Sequence, residues 1–290
     1  MYVNIFLYFA QTRDMKKYFL VGLSFLLVGA MVGGALLISF YVPTRDIAVG
    51  GVAVASNKPI AWGLGNYATG KKPNPPPGSV ELLEKYDGVW VVDGKDGQEA
   101  EKKVYLTFDL GYEAGWTGEV LDILKKHNIK AVFFLCGHYL KSTDLVTRMI
   151  SEGHMIGNHT NKHKDLPTLS DEGIREDIAV FNTMFNEQYG EMYGNKPLTL
   201  FRPGKGRMCE RTVRIASEEG LRTMMWSNAI VDWGKAEINV QKSSDTIMKR
   251  MHPGMVMLLH ISNAGMPKML DALIPRVLAE GYEFGDVWGI

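Results

Sequence analysis

The longest apolar run of the chain lies close to its N-terminus. Residues 18–41 contain no charged side chain, and a helix needs about 20 predominantly apolar residues to cross a bilayer. Arg13, Lys16 and Lys17 precede the run, so the positive-inside rule keeps a short tail, residues 1–17, in the cytoplasm and places the rest of the chain outside. We therefore expect a transmembrane anchor over 18–41, with a cleaved signal peptide as the alternative.

Beyond this run the pattern is irregular up to about residue 100. Residues 42–100 are rich in glycine and include three consecutive prolines at 75–77. Consecutive prolines stiffen a chain and cannot continue a helix. We expect a Gly- and Pro-rich spacer and lead-in segment here, with one short helix over 81–86.

From residue 101 to residue 290, strand-like and helix-like patterns alternate. Val104, Leu106 and Phe108 recur at every second position, which predicts a strand that ends at Asp109. Further strands are expected over 131–135, 154–157, 198–201, 223–226 and 255–259, and helices near 120–126, 144–152, 172–188, 210–219, 244–251 and 268–280. Apolar strands that alternate with helices indicate a parallel sheet, and so many units in about 190 residues favour a closed or nearly closed (β/α) barrel.

Charge and cysteine content exclude several classes of protein. Lysine and arginine number 32, and aspartate and glutamate also number 32. No bulk positive field gathers phosphate backbones, so nucleic acid is not expected as a partner. The only two cysteines, Cys136 and Cys209, form no CxxC pair, which excludes a disulfide framework and a four-cysteine zinc module.

Polar residues follow the predicted strands at the end where parallel βα folds gather their functional groups. They are Asp109, His159, His163, Arg202, Asp232 and His260. His159 and His163 are four residues apart, so on one helical turn both imidazoles would face a single divalent cation. The spacing is equally compatible with two solvated surface histidines.

The other residues of this set suit acid and base chemistry. Asp109 is a candidate general base if Arg202 keeps it ionised, and a helix cap if not. A carboxylate such as Asp232 would raise the pKa of His260 and keep it protonated as an acid. A satisfied core histidine fits the position of His260 equally well.

Five motifs occur in a fixed order along the chain. They are TFD-x-G at 107–111, H-T-x-x-H at 159–163, R-P-x-x-G at 202–206, D-W at 232–233 and L-L-H at 258–260. In this order they resemble the polysaccharide deacetylase family, the NodB-homology domains of carbohydrate esterase family four. Residues 62–287 are similar in particular to its sporulation branch, the δ-lactam-forming muramic acid de-N-acetylases of the spore cortex.

The resemblance implies a fold and a reaction. The fold is a distorted, incomplete (β/α) barrel, here a monomeric catalytic domain over 101–290. The reaction is hydrolytic removal of an N-acetyl group from an amino sugar of a peptidoglycan glycan strand, N-acetylmuramic acid in the cortex branch. The anchor would hold the domain at the outer face of the membrane.

The resemblance also implies a role for each site residue. Asp109 is the general base that takes a proton from water, and Arg202 orients it. His260 is the general acid that gives a proton to the leaving nitrogen, and Asp232 supports it. His159 and His163 are the ligands of a divalent metal ion, with zinc as the first candidate. The substrate contacts are Trp233, Tyr112 and Asn158.

One residue departs from the family motif. Most members have a second aspartate, the third metal ligand, where this chain has Leu110, and the cortex branch usually has asparagine. A catalytic zinc site normally uses three protein ligands and a water, and leucine has no lone pair. Either the two histidines and solvent hold the ion or another residue such as Asn158 contributes, so the sequence leaves the need for a metal open.

Two other functions are compatible with the sequence. The enzyme would in one case deacetylate another N-acetylglucosamine polymer, such as chitin oligomers or a capsule. In the other, Leu110 marks a catalytically weakened homologue that binds glycan and lacks the metal.

Overall fold

The computed structural model describes residues 58–65, 67–94, 99–234 and 237–290. The predicted cytoplasmic tail, the predicted anchor over 18–41 and the first part of the spacer lie outside these ranges. Within them, no helix is both long and apolar enough to span a bilayer.

The described residues form ten strands and seven α-helices. The strands are β1 (Ile60–Ala61), β2 (Lys103–Leu110), β3 (Val132–Leu135), β4 (Met155–Asn158), β5 (Leu200–Phe201), β6 (Arg207–Met208), β7 (Arg222–Thr223), β8 (Asn228–Ala229), β9 (Met255–His260) and β10 (Glu283–Phe284). The helices are α1 (Ser79–Lys85), α2 (Thr117–Lys126), α3 (Thr143–Ser151), α4 (Asp171–Tyr189), α5 (Glu210–Glu218), α6 (Val240–Lys249) and α7 (Met266–Ala279). Each strand and helix predicted beyond residue 101 has a counterpart, although several strands are shorter than expected.

Eight of the strands form one curled sheet. Its order is β7-β5-β4-β3-β2-β9-β8, with β10 pairing to β2 beside this path, and all its pairs are parallel. Because β7 and β8 stand at the two ends of the order, the sheet is an open half-barrel. The expected incomplete (β/α) barrel is thereby confirmed.

The two faces of this sheet bury different residues, because side chains alternate along each strand. Phe108 and Leu110 of β2 pack with helix residues in the larger core cluster, which we call the helix-side core. Tyr105 of β2 and Phe134 of β3 belong to a second cluster on the opposite face, which we call the inner face. Asp109 shares the parity of Tyr105 and therefore lies on the inner face.

Helix α4 shows how local sequence and packing together fix an element. The Oγ of Ser170 accepts a hydrogen bond from the Gly173 N–H at 3.2 Å, and Asp171 and Glu172 put negative charge at the positive end of the helix. Four fully buried side chains recur at helical spacing, Ile174, Ile178, Phe181 and Phe185. This apolar face holds α4 in the helix-side core.

Part of the predicted spacer and lead-in segment is folded onto the domain. β1 pairs with β6 in a small antiparallel sheet, and α1 is the short helix expected over 81–86. Trp62 is 5% exposed, and its indole N–H donates to the carbonyl of Trp226 at 2.9 Å. Leu83 of α1 is fully buried. The folded body therefore extends N-terminally beyond residue 101, to about residue 60.

Candidate active site

Six polar residues meet at the carboxyl ends of the parallel strands. Asp109 lies at the end of β2, His159 follows β4, Arg202 follows β5, His260 ends β9, and Asp232 and His163 lie on the loops that follow β8 and β4. Asp109 and His260 are direct partners in the β2–β9 register. The structure thus brings together the polar residues that the sequence places at strand ends.

Arg202 is the most constrained of these residues. Its side chain is fully buried, and its Nη1 donates to Asp109 Oδ1 at 2.8 Å and to Thr107 Oγ1 at 2.9 Å. Its Nε donates to the carbonyl of Met224 at 2.8 Å, and its guanidinium stacks 4.1 Å from the ring centre of Phe134. A planar group held on three sides in this way fixes the position of the Asp109 carboxylate.

Asp109 is buried and yet charged. Burial alone would raise the pKa of its carboxyl, but the charge of Arg202, followed by those of His159 and His260, outweighs it and holds the pKa below its ordinary value. The second oxygen, Oδ2, lies 3.6 Å from His159 Nε2. Arg202 holds one oxygen of this ionised carboxylate, and the other, Oδ2, faces the imidazole. Oδ2 can therefore accept a proton.

His159 is prepared to bind a cation. Its Nδ1–H donates to the carbonyl of Arg202 at 2.8 Å, which leaves the lone pair on Nε2, and this kind of outer contact orients metal-binding histidines. Burial lowers the pKa of His159 to about 4, so the ring is neutral near pH 7. A neutral, oriented imidazole suits a divalent metal ion.

His163 approaches His159, but not on a helical turn as the spacing predicts. Residues 159–163 form a loop in which Thr160 and His163 have positive φ angles of 72° and 50°. The two ring centres are 5.1 Å apart, and the Lys205 N–H lies 3.4 Å from His163 Nε2. Two left-handed residues therefore produce the proximity that we expected from helical periodicity.

His260 and Asp232 form a second pair, next to the first. The Nδ1–H of His260 donates to Asp232 Oδ1 at 2.8 Å, and its backbone N–H donates to Oδ2 at 2.7 Å. Burial lowers the pKa of His260, but the hydrogen bond and charge of Asp232, helped by the charge of Asp109, outweigh burial and raise it. The imidazolium is the more stable form of His260 up to a higher pH than usual, and it can donate a proton.

The predicted substrate contacts differ in position. Tyr112 and Trp233 are each 60% exposed, on the loops after β2 and β8, so their rings are accessible at the rim of the site. Asn158 is fully buried: its Nδ2 donates to the Ile178 carbonyl at 3.0 Å, and its Oδ1 accepts from the Thr160 N–H at 2.7 Å. The structure contradicts a substrate or ligand role for Asn158, because these contacts use its amide to fasten the loop to α4.

Sequence reasoning missed one residue of this region. Cys136 follows β3 and is 2% exposed, and one ligand atom each of Cys136, His159 and His163 lie within 4.8 Å of one another. Burial and the Asp109 charge raise the pKa of its thiol. Cys136 is two residues after Phe134, which lies on the inner face, and this spacing was the signal in the sequence that Cys136 faces the site. Leu110 is 2% exposed in the helix-side core and offers no ligand atom.

A surface cavity adjoins the loop that carries Asp232. Its volume is ≈ 590 Å³, and its lining includes Ile230, Val231, Lys242 and Arg250. The guanidinium of Arg250 donates to the Ala229 carbonyl at 2.9 Å. The cavity thus combines apolar walls with two basic side chains, and one acidic side chain, Glu237, also lines it.

Comparison with known proteins agrees with this geometry. The family model of polysaccharide deacetylases matches residues 96–224. Peptidoglycan-N-acetylmuramic acid deacetylase PdaA of Bacillus subtilis is 36% identical over 246 residues, which cover 82% of this chain and 89% of that protein. The solved structure of Bacillus subtilis PdaA, a family 4 carbohydrate esterase, superposes with a TM-score of 0.72 at 34% identity and covers 81% of this chain and 97% of its own.

A second relative shows that catalysis is not universal in this fold. A family 4 pseudoenzyme from Bacillus anthracis superposes with a TM-score of 0.59 at 28% identity, over 65% of each chain. Identity above a third across most of the PdaA sequence, together with the shared fold, decides the assignment of the present chain. It belongs to the polysaccharide deacetylases of carbohydrate esterase family 4, hydrolases that act on N-acetyl amide bonds.

Proposed function

We propose that the protein removes the acetyl group from N-acetylmuramic acid in peptidoglycan, in the reaction that leads to the muramic δ-lactam of the spore cortex. The observation that carries the proposal is the pairing of Asp109 with His260 on adjacent strands. The pKa of Asp109 is lowered and that of His260 is raised. Near neutral pH a base and an acid therefore lie side by side in the site. The similarity to PdaA supports the choice of sugar.

In the proposed mechanism the two residues act in sequence. Asp109 accepts a proton from the water that attacks the acetamide carbon, while Arg202 keeps the carboxylate in place. As the C–N bond breaks, His260 donates a proton to the departing sugar nitrogen, and Asp232 stabilises its charged form. A C–O bond has formed and a C–N bond has broken, so the products are acetate and a free amine.

His159 and His163 are the residues that would hold a divalent cation, and zinc is the first candidate. The neutral ring of His159 and its bond to the Arg202 carbonyl fit that role. When bound, such an ion acidifies water and polarises the acetamide carbonyl.

The walls of the site suit a sugar that carries a carboxylate. Trp233 and Tyr112 offer exposed rings against which a pyranose can lie. Lys242 and Arg250 outnumber the single acidic residue, Glu237, in the lining of the neighbouring cavity and give it a positive balance of charge. N-acetylmuramic acid bears a lactyl group, acidic when no stem peptide is attached, which N-acetylglucosamine lacks, and these cations favour it.

The test compares glycans that differ in this group. The full-length chain is incubated with peptidoglycan with and without stem peptides and with chitotetraose, and the products are analysed by mass spectrometry and acetate assay. We expect muropeptides deacetylated at the muramic residue. Equal or faster acetate release from chitotetraose would instead establish a deacetylase of another N-acetylglucosamine polymer.

Leu110 favours one alternative, a glycan-binding homologue without catalysis, since it provides no third ligand. Retained binding to glycan strands without acetate release at any zinc concentration would establish that alternative. It would leave the fold assignment intact and overturn the proposed reaction.

For the whole protein we propose a membrane-anchored, monomeric enzyme that works at the outer face of the membrane. The support is the uncharged run over 18–41 and the basic residues that precede it. The anchor would keep a chain of zero formal charge close to an anionic cell wall that it does not attract electrostatically.

A further inference from the structure

We propose that Cys136 is the third protein ligand of the metal site, in place of the carboxylate that Leu110 replaces. This inference rests on the proposed function for the identity of the site. It rests on the fold for the position of the thiol.

The first argument is the place of Cys136 in the sheet. β3 lies between β2 and β4, and the register aligns Leu110 with Leu135 and Leu135 with Asn158. Cys136, the first residue after β3, is therefore level with His159, the first residue after β4. Its N–H donates to the Leu110 carbonyl at 3.0 Å, so the Cys136 backbone lies beside the position where the family has its third ligand.

The second argument is the direction of the side chain. Phe134 lies in the inner-face cluster, and alternation along the strand puts Cys136 on the same face as Asp109. The Cys136 S–H donates to the His159 carbonyl at 3.3 Å. Leu110 has the opposite parity and is buried in the helix-side core, so the neighbouring strand supplies the ligand that this strand lacks.

The third argument is the chemistry and geometry of the donor set. Zn–S bonds of about 2.3 Å and Zn–N bonds of about 2.0–2.1 Å put tetrahedral ligand atoms about 3.5 Å apart. The atoms of Cys136, His159 and His163 lie within 4.8 Å of one another, so a closure of about 1 Å completes the set. Cys136 and His159 are buried whereas His163 is exposed on its loop, so His163 can make this movement.

A thiolate also matches the missing carboxylate in charge. Binding forms one metal–sulfur bond and releases the Cys136 proton to solvent, so the ligand set carries the same single negative charge as two histidines and an aspartate. Because sulfur is a soft donor, the site should select zinc or cobalt over manganese and magnesium. Three protein ligands would leave one position for water or substrate, as in catalytic zinc sites.

The test is metal binding rather than activity. The full-length chain and its Cys136→Ser and Cys209→Ser variants are freed of metal and titrated with Co(II), and Zn(II) affinity is measured by competition with a chromophoric chelator. Cys209 is a matched control, because it is equally buried and contacts Thr212 Oγ1 at the start of α5.

We expect the wild type and Cys209→Ser to show a near-ultraviolet thiolate-to-Co(II) charge-transfer band. Cys136→Ser should lose the band and bind Zn(II) at least about tenfold more weakly, since even loss of an outer contact costs that much. A band that persists in Cys136→Ser, or metal binding by the wild type without any band, would overturn the assignment. So would a wild type that binds neither ion.

If Cys136→Ser does not fold, X-ray absorption of the zinc-loaded wild type decides the question. One sulfur neighbour at about 2.3 Å supports the assignment, and only nitrogen or oxygen neighbours at about 2.0–2.1 Å contradict it. Deacetylation without a sulfur ligand would refute this inference alone. A sulfur-ligated ion without deacetylation would refute the proposed function alone.

Discussion

The buried ion pair of Arg202 and Asp109 is the residue-level feature on which the site depends. A buried charge is tolerated only when it is paired and hydrogen-bonded. Arg202 gives Asp109 both a countercharge and a hydrogen bond, and the carbonyl of Met224, just beyond β7, accepts from the Arg202 Nε. The base is thus held in position before substrate arrives, and holding a catalytic group in the right geometry lowers the barrier of a reaction.

Arg202→Met should therefore lower the free energy of unfolding by about 3–5 kcal/mol, because it leaves the Asp109 carboxylate buried without its partner. The matched control is Arg207→Met. Arg207 pairs with Asp165 at 2.7 Å but is 39% exposed, so its loss should cost no more than about 1 kcal/mol. Urea denaturation of the two variants measures both values, and equal losses would contradict the constrained role of Arg202.

The pair of His260 and Asp232 predicts a pH effect. The pKa of His260 is raised, so the acid is present at low pH and is lost as the pH rises through that value, which gives kcat/KM an alkaline limb. Asp232→Asn removes the charge that stabilises the imidazolium and should move this limb to lower pH. Asp122→Asn, at a side chain 70% exposed on α2, should leave it in place. A limb that Asp232→Asn does not move would assign the acid elsewhere.

At the scale of elements, the sequence was informative about long elements and uninformative about short ones. β2 and β9 are long and buried, so the alternation around Leu106 and the continuous apolar run over 255–259 predict them well. The strand expected over 223–226 is only Arg222–Thr223. Just beyond it, the carbonyls of Met224 and Met225 accept hydrogen bonds from Arg202, a long-range contact that local patterns do not contain.

The residues of the site likewise divide into those that the sequence predicts and those that it does not. Asp109, Arg202 and His260 stand directly at strand ends, so chain order and strand prediction suffice to gather them. The approach of His163 depends on backbone conformations at Thr160 and His163 that propensity does not favour. Cys136 was missed because a single cysteine forms no motif, and only the register of three strands places it beside His159.

The folded lead-in segment yields a prediction about stability. Trp62 packs edge-on against Trp90 with ring centres 6.0 Å apart and bonds to the Trp226 carbonyl. Trp62→Ala should cost about 3–5 kcal/mol, as truncation of buried aromatic residues does. Trp233→Ala, at an exposed ring, should change stability by no more than about 0.5 kcal/mol and raise KM instead. Denaturant unfolding and steady-state kinetics separate the two effects, and an unchanged stability of Trp62→Ala would show that this segment is a loose spacer.

At the scale of the whole molecule, the proposed protein has a catalytic half-barrel and a membrane anchor. The full-length chain should sediment with membranes and be degraded by protease added from outside. A variant without residues 18–41 should leave the membrane fraction. A full-length chain that stays soluble, or is protected from external protease, would contradict the proposed location.

The central claim is that Asp109 is the base of a muramic acid deacetylase, and mass spectrometry of muropeptides tests it most directly. Peptidoglycan is treated with the full-length chain or with Asp109→Asn, which keeps the side chain's shape and removes its charge. Wild type should yield deacetylated muramic residues, and the variant should do so at least about a hundredfold more slowly, as expected for loss of a general base. Equal deacetylation by the two proteins, or none by the wild type at any zinc concentration, would contradict the account.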